Sequence, residues 1–205
     1  PDPEAILVTG ITPQKTHSEG YSEAEFLKLF FESVCQPDTI ITGFNNARFD
    51  DEFIRTTLWR NFYDPYEWQW QDGRSRWDLM DVVRMVRAIR PQGIKWPFGP
   101  ARKKGLSEHG KIVAPKVGDE DPKKLVPTNR LELITELNGL SHDNAHDALS
   151  DVNATIAVAK LIKDKQPKMF DYLLSMRNKK EVAKLVDPDE PVPYLYTSGR
   201  YSNQH

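Results

Sequence analysis

Hydrophobic residues recur at helical spacing in some stretches of the chain and form short β-branched runs in others. The first apolar segment, residues 6–14, is interrupted by a glycine and a proline. Ser22 begins a predicted helix, because Glu25 follows three residues later as in a capping box and apolar side chains continue at helical spacing. Residues 39–44 form a short β-branched run, which predicts a buried strand.

Further helical patterns lie on either side of a segment rich in proline and glycine. Residues 50–60 predict one helix, and residues 79–89 predict another that stops before Pro91 and Gly93. Residues 91–127 contain many prolines, glycines and lysines and show no periodicity, so they predict a long loop. A loop of this length inside a compact domain is usually functional or mobile.

The second half of the chain is predicted to be mostly helical. A short helix over 129–138 is ended by a C-cap glycine, and the longest helix extends over 147–165. The apolar positions assigned to one stripe of that helix are Ala148, Val152, Ile156, Ala159 and Ile162. Another helical stretch follows over 167–186. Residues 187–193 have the composition of a linker, and residues 194–197 predict the first strand of a second unit.

Composition narrows the function classes only slightly. The chain has 205 residues, of which 39% are hydrophobic and 28% charged, as in an ordinary soluble protein. No apolar run approaches the roughly 18 residues of a membrane-spanning helix, so no membrane segment is predicted. The single cysteine, Cys35, excludes internal disulfides and zinc sites built on paired cysteines, which fits a reducing cytoplasm. The net charge of −2 does not indicate a nucleic-acid binder, although basic residues confined to one groove would escape this measure.

Two short motifs contain the candidate catalytic residues. The first, Asn-Asn-Ala-Arg-Phe-Asp-Asp-Glu at residues 45–52, leaves the predicted strand and enters a helix. The second, His-Asp-Ala-Leu-Ser-Asp, begins the longest helix and contains His146 and Asp151. Carboxylates that converge from a strand end and from helix starts suit Mg²⁺ or Mn²⁺. A neighbouring histidine can orient or deprotonate an attacking water.

Each motif also has a simpler interpretation. Aspartates at helix entries, such as Asp50 and Asp151, often serve only as caps. His146 and Asp147 also match the His-Asp pair of HD-type phosphohydrolases, but that site needs further histidines on other helices. The remaining histidines lie in unsuitable contexts for it, so we disfavour the HD-type alternative.

The two motifs in this order resemble the DEDD superfamily of 3′→5′ exonucleases, in its His-containing branch. In that superfamily the aspartate of the Phe-Asp motif, here Asp50, and the final aspartate, here Asp151, are metal ligands. The histidine, here His146, is the general base. Further segments resemble the bacterial exodeoxyribonuclease I family in particular, and the resemblance covers residue 7 to about residue 186. These segments are residues 11–14, 43–52, 60–66, 75–81, 144–148 and 170–173.

The resemblance implies an α/β, ribonuclease H-like exonuclease fold. The family's Asp-x-Glu motif, which supplies two further carboxylates on the first strand, has no match here, so we expect the first three strands to be missing. Residues 1–186 are expected to be the exonuclease domain, and residues 187–205 a linker and the first strand of an SH3-like second domain. We therefore expect a fragment of a longer protein, with marginal stability by itself because the sheet would have an uncovered edge.

The activity implied is removal of 5′-mononucleotides from the 3′ end of single-stranded DNA by two-metal phosphodiester hydrolysis. The implied cofactor is two Mg²⁺ ions, with Mn²⁺ able to substitute. The implied partner is the acidic C-terminal tail of single-strand-binding protein, and the enzyme is expected to be a cytoplasmic monomer. Two alternatives stay open: an RNA-directed 3′ exonuclease of the same superfamily, and a non-catalytic module that binds single-stranded nucleic acid.

The region 55–90 interleaves arginines with tryptophans and tyrosines, a composition that suits phosphates and stacked bases of single-stranded nucleic acid. Arg74 and Arg76 are predicted to contact phosphates, because they lie in a polar stretch that contains a glycine. The full set of candidate nucleic-acid contacts is Asn45, Arg48, Tyr66, Trp68, Arg74 and Arg76. Because tryptophan and tyrosine mostly pack cores, only two or three of the aromatics in this region are expected to touch DNA.

Overall fold

The structure is a computed structural model, which describes residues 2–102, 105–106, 112–113, 120–141, 148–190 and 192–197. Its helices are α1 (Pro3–Thr9), α2 (Pro13–Glu19), α3 (Glu23–Ser33), α4 (Asp50–Arg60), α5 (Leu79–Ile89), α6 (Leu131–Leu137), α7 (Ala148–Lys165), α8 (Pro167–Ser175) and α9 (Lys179–Ala183). Its strands are β1 (Ile40–Gly43), β2 (Ser75–Asp78), β3 (Phe98–Arg102), β4 (Gly105–Leu106), β5 (Ile112–Val113) and β6 (Glu120–Pro127). None of the described helices is both long and apolar enough to cross a membrane.

A parallel pair of strands determines where the candidate site lies. β1 pairs with β2 in register from Ile40 opposite Ser75 to Gly43 opposite Asp78, so both strands end at the same edge. β1 lies where the sequence predicted a strand, but the prediction that this strand is buried is wrong, since Ile40 is 39% exposed. In the described part of the chain this sheet has two strands, which is too few to enclose β1 on both faces.

The larger of two apolar clusters joins α5, α6 and α7. Its buried members are Leu79, Val82, Val83, Val86, Ile94, Leu131, Ile134, Ala154, Val158 and Ile162. The stripe predicted for α7 is wrong in part, because Val152 is 54% exposed and Ile156 is 47% exposed. The helix has a second apolar stripe, which includes the small residue Ala154, and α5 and α6 pack on that one.

The smaller cluster joins α3 and α4 through Leu27, Phe30, Cys35, Leu58 and Trp68. Helix α3 begins with the predicted capping box, in which the Ser22 side chain accepts from the Glu25 backbone N–H and the Glu25 carboxylate accepts from the Ser22 N–H. Burial in this cluster raises the pKa of the Cys35 thiol.

We expect iodoacetamide to alkylate Cys35 at least about tenfold more slowly in the native chain than in urea at pH 8, because burial hinders access and disfavours the thiolate. The measurement is the time course of mass increase, and the urea-unfolded chain at the same pH is the control. Equal rates in the two states would show that the smaller cluster does not form.

Three other predicted segments differ from the structure. The long loop predicted over 91–127 is wrong in part, because β3 and β6 pair antiparallel within it, with a register break between Pro100 and Ala101. The helix predicted over 167–186 divides into α8 and α9, since Asn178 caps a new helix. Residues 192–197 form no regular element, so the strand predicted at 194–197 is not present.

Candidate active site

A tight turn joins β1 to α4 and carries the first motif. Asn45 has a left-handed backbone with φ 66°, a 3₁₀ turn covers Asn46–Arg48, and Asp50 is the first residue of α4. A Cβ atom on Gly43 would lie 2.8 Å from the Asn46 Cβ, which is closer than real contacts allow, so only glycine fits there. The turn leaves the Asp50 side chain exposed at the beginning of the helix.

The Asp78 carboxylate, at the end of β2, holds this turn. It accepts from the backbone N–H of Asn45 at 2.8 Å and from that of Ala47 at 3.1 Å. It also caps α5 by accepting from the Met80 N–H at 3.0 Å. Burial raises the pKa of Asp78, and the three backbone hydrogen bonds offset part of that rise. Asp78 is not among the residues predicted for the site, although an aspartate directly before a predicted helix is a recognisable cap signal.

A buried ion pair lies behind the same turn. Asp51 is 5% exposed and its carboxylate accepts from the Arg76 guanidinium. With the Asn46 amide oriented to satisfy both of its ends, its oxygen accepts from Arg76 and its nitrogen donates to the Gly43 carbonyl. Burial raises the pKa of Asp51, and the hydrogen bond and charge of Arg76 oppose that rise. The motif's two adjacent aspartates are therefore unlike: Asp51 is structural and Asp50 faces solvent.

Two of the predicted nucleic-acid contacts, Arg74 and Trp68, are buried and a third, Arg76, is half-buried, which argues against the prediction at these residues. Arg74 is buried and donates to the Cys35 carbonyl and to the Asp72 carboxylate, each at 3.1 Å. The Arg76 guanidinium pairs with Asp51 and lies 4.8 Å from the ring centroid of Trp68, which itself belongs to the smaller cluster. These side chains are withdrawn from solvent because β2 pairs with β1, and the sequence predicted no strand there.

Other aromatic side chains are exposed near the motif. Tyr66 is 55% exposed, and the Arg55 guanidinium lies 5.8 Å from its ring centroid. Phe49 and Phe53 are both exposed, with ring centroids 4.9 Å apart in an edge-to-face arrangement on either side of Asp50 in the sequence. This phenylalanine pair was not predicted, although the spacing of four residues places both side chains on one side of a helix. Arg48 is also exposed, in the turn itself.

The second motif is described only from Ala148 onward, so His146 lies outside the described residues. Asp151 lies in the first turn of α7 and is half-buried. Ala154, three residues later, belongs to the larger cluster, and Phe44 at the end of β1 packs against that same cluster. The end of β1 and the beginning of α7 are thus fixed to one core.

The donor set available for a metal consists of Asp50 and Asp151. Both are carboxylates at helix starts, and oxygen donors of this kind fit Mg²⁺ or Mn²⁺. Among the residues that the structure describes, no group of three histidine, cysteine, aspartate or glutamate side chains is close enough to hold a metal ion. The described carboxylates therefore fit part of a metal site, to which other residues must contribute.

The chain is similar to known exonucleases over most of its length. Residues 1–159 match a family model described as Exonuclease. Exodeoxyribonuclease I of Haemophilus influenzae is 46% identical over 203 residues, which are 99% of this chain and 38% of that protein. Exodeoxyribonuclease I of Escherichia coli is 45% identical over 201 residues, which are 98% of this chain and 38% of that protein. The chain thus spans 38% of the length of these two curated relatives.

Solved structures give the same result. A structure of exonuclease I matches with a TM-score of 0.76 and 46% identity, over 91% of this chain and 35% of that one. Exonuclease I of E. coli in complex with a dA16 oligonucleotide matches with a TM-score of 0.75 and 46% identity, again over 91% and 35%. A zinc-bound form of the E. coli protein with single-stranded DNA has a TM-score of 0.74.

Proposed function

The chain belongs to the exonuclease family, and from this premise we propose that it forms part of a 3′→5′ exonuclease that releases 5′-mononucleotides from single-stranded DNA. It has the α/β, ribonuclease H-like fold of that family. The observation that supports the proposal most directly is the position of Asp50. Its carboxylate is exposed at the beginning of α4, at the carboxyl edge of the β1–β2 pair, and its neighbour Asp51 is buried against Arg76.

The family is metal-dependent, and Asp50 and Asp151 are the residues of this chain that would hold the metal. The carboxylates favour Mg²⁺, with Mn²⁺ as a substitute. Two such ions, when bound, stabilise the attacking and leaving oxygens of a phosphodiester. His146 would take the proton from the attacking water, and the rigid β1–α4 turn would keep Asp50 in place.

Tyr66 and the Phe49–Phe53 pair offer exposed ring faces for unpaired bases, and Asn45 and Arg48 lie in the turn directly before Phe49. Stacking of this kind accepts every base. Exonuclease I has been solved with dA16 and in a complex with SSB-Ct. We propose that the protein binds the same two partners, single-stranded DNA and the acidic tail of single-strand-binding protein. We further propose that the enzyme is a monomer and is located in the cytoplasm.

Digestion of 3′-labelled single-stranded DNA in Mg²⁺ tests the proposal. We expect a longer protein, in which this chain is extended to the length of its relatives, to release 5′-mononucleotides. The 205-residue chain is expected to release few, because the described residues supply only part of the carboxylate set. Matched RNA substrates distinguish the RNA-directed alternative. Absence of cleavage by both proteins, with binding retained, would favour the non-catalytic module, and full activity of the 205-residue chain would show that the carboxylates are wrongly assigned.

Replacing Tyr66 by Ala is expected to weaken binding of single-stranded DNA about 5- to 150-fold, because loss of one stacked base costs roughly 1–3 kcal/mol. The measurement is fluorescence anisotropy with a labelled oligonucleotide in EDTA, which prevents cleavage. Tyr172, an exposed tyrosine on α8, gives the matched control, since Tyr172→Ala is expected to leave the affinity unchanged. Equal losses in the two variants would remove Tyr66 from the proposed DNA surface.

A further inference from the structure

We propose that Asp78 is a positioning residue for the metal site, acting through the backbone of the β1–α4 turn to hold the Asp50 carboxylate in place. This inference rests on the proposed function, because it concerns the same site. It assigns a role to a side chain that belongs to neither of the two motifs and lies on the neighbouring strand.

The bonds made by Asp78 exceed what helix capping requires. A cap needs one oxygen, and the Met80 N–H at 3.0 Å supplies that contact through Oδ1. The same Oδ1 also accepts from the Asn45 N–H at 2.8 Å, and Oδ2 accepts from the Ala47 N–H at 3.1 Å. Both oxygens therefore reach back across the strand pair to the turn. Because Asp78 and Gly43 are partners in the β1–β2 register, the carboxylate lies beside the place where that turn begins.

The turn transmits this restraint to Asp50 over a short and well-bonded path. Arg48 N–H donates to the Asn45 carbonyl and Phe49 N–H to the Asn46 carbonyl, each at 3.3 Å. The Glu52 N–H then donates to the Phe49 carbonyl at 3.1 Å, which begins α4 around Asp50. Asn45, at the start of this path, has a left-handed backbone with φ 66°. If Ala47 lost its acceptor, the segment between Asn45 and Phe49 would gain freedom, and the carboxylate of Asp50 would lose its fixed position.

Replacing a residue that orients a metal ligand without touching the metal typically lowers metal affinity or activity by 10–100-fold. Asp78→Asn is the sharpest variant, since Oδ1 and its two hydrogen bonds are kept while Oδ2 becomes an NH₂ group that faces the Ala47 N–H. The cap of α5 therefore survives, and only the contact to Ala47 is lost. Asp78→Ala removes all three contacts and is the less specific variant.

The first measurement uses the 205-residue chain and needs no activity. Hydrogen exchange followed by mass spectrometry is expected to show faster exchange in a peptide that covers residues 44–49 of Asp78→Asn, with the peptide over α5 unchanged. The second measurement uses the longer protein proposed above, in which this chain is extended to the length of its relatives. The Kd for Mn²⁺, from the electron paramagnetic resonance signal of the free ion, is expected to rise about tenfold, and activity is expected to recover at high metal concentration.

Ser22→Ala is the matched control, because it removes a side-chain cap of similar worth from α3 without touching the turn. It should lower the melting temperature by a few degrees and leave the Mn²⁺ Kd unchanged. A Kd for Asp78→Asn that equals the wild-type value overturns the inference, provided that Asp50→Asn abolishes Mn²⁺ binding. If Asp50→Asn also binds Mn²⁺ as the wild type does, the proposed function itself fails.

Discussion

Asp50→Asn is expected to lower kcat/KM for 3′-nucleotide release by about 1000-fold, which corresponds to about 4 kcal/mol of lost transition-state stabilisation. Asparagine keeps the shape of the side chain but removes the charge that a divalent cation needs. Because Asp50 is exposed and forms no part of either apolar cluster, its replacement should leave the fold intact. The measurement is digestion of labelled single-stranded DNA, with Mg²⁺ in excess, by the longer protein in which this chain is extended to the length of its relatives.

Glu52→Gln is the control for this prediction. Glu52 is an acidic residue in the same first turn of α4, its side chain is 64% exposed, and it pairs with Arg55 on the surface. It should retain activity within about twofold, since exposed ion pairs of this kind contribute at most about 1 kcal/mol. Equal digestion by Asp50→Asn and wild type would mean that the exposed aspartate of this turn holds no metal, and the metal ligands would then have to be assigned to other carboxylates.

The helices could be predicted from the sequence where their signals are local. Helices α4 and α5 occupy the predicted residues 50–60 and 79–89, because caps, apolar spacing and the following Pro91 all lie within a few residues. The strands could not all be predicted. Strand β2 contains the charged residues Arg76 and Asp78, and it is recognised as a strand only through its pairing with β1. Strands β3 and β6 lie in a segment whose prolines and glycines predict a loop, and their pairing joins residues far apart in the chain.

The candidate site could be predicted less completely than the helices. The resemblance predicts Asp50 and Asp151 as metal ligands from short motifs, but no motif distinguishes an exposed arginine from a buried one. Arg76 is half-buried because Asp51 and Asn46 supply acceptors for its guanidinium, and those partners become neighbours only in the folded chain. Asp78 was overlooked for the same reason. Its two most informative contacts are to backbone N–H groups more than thirty residues earlier in the sequence.

Trp68→Ala is expected to cost about 3–5 kcal/mol of unfolding free energy, as large-to-small substitutions of buried aromatic residues do. Trp68 is 2% exposed, and its ring packs edge-to-face on Phe30 with centroids 5.6 Å apart. Its indole N–H donates to the Pro65 carbonyl at 2.9 Å, and the Arg76 guanidinium lies over its face. Truncation would empty the centre of the smaller cluster and remove a neighbour of the Asp51–Arg76 pair. The measurement is urea unfolding of the 205-residue chain, followed by circular dichroism.

The size of that loss decides between two interpretations of Trp68. If it stacked on a DNA base, Trp68→Ala would weaken binding and leave the urea transition unchanged, which would contradict the buried position. Trp70→Ala is the control, because Trp70 is two residues away and 64% exposed, so its loss should change stability by no more than about 0.5 kcal/mol.

We expect the wild-type chain itself to be only marginally stable, and a cooperative melt above about 60 °C would refute this. Since about 5 kcal/mol is the lower end for native domains, Trp68→Ala should then abolish most of the cooperative transition at 25 °C.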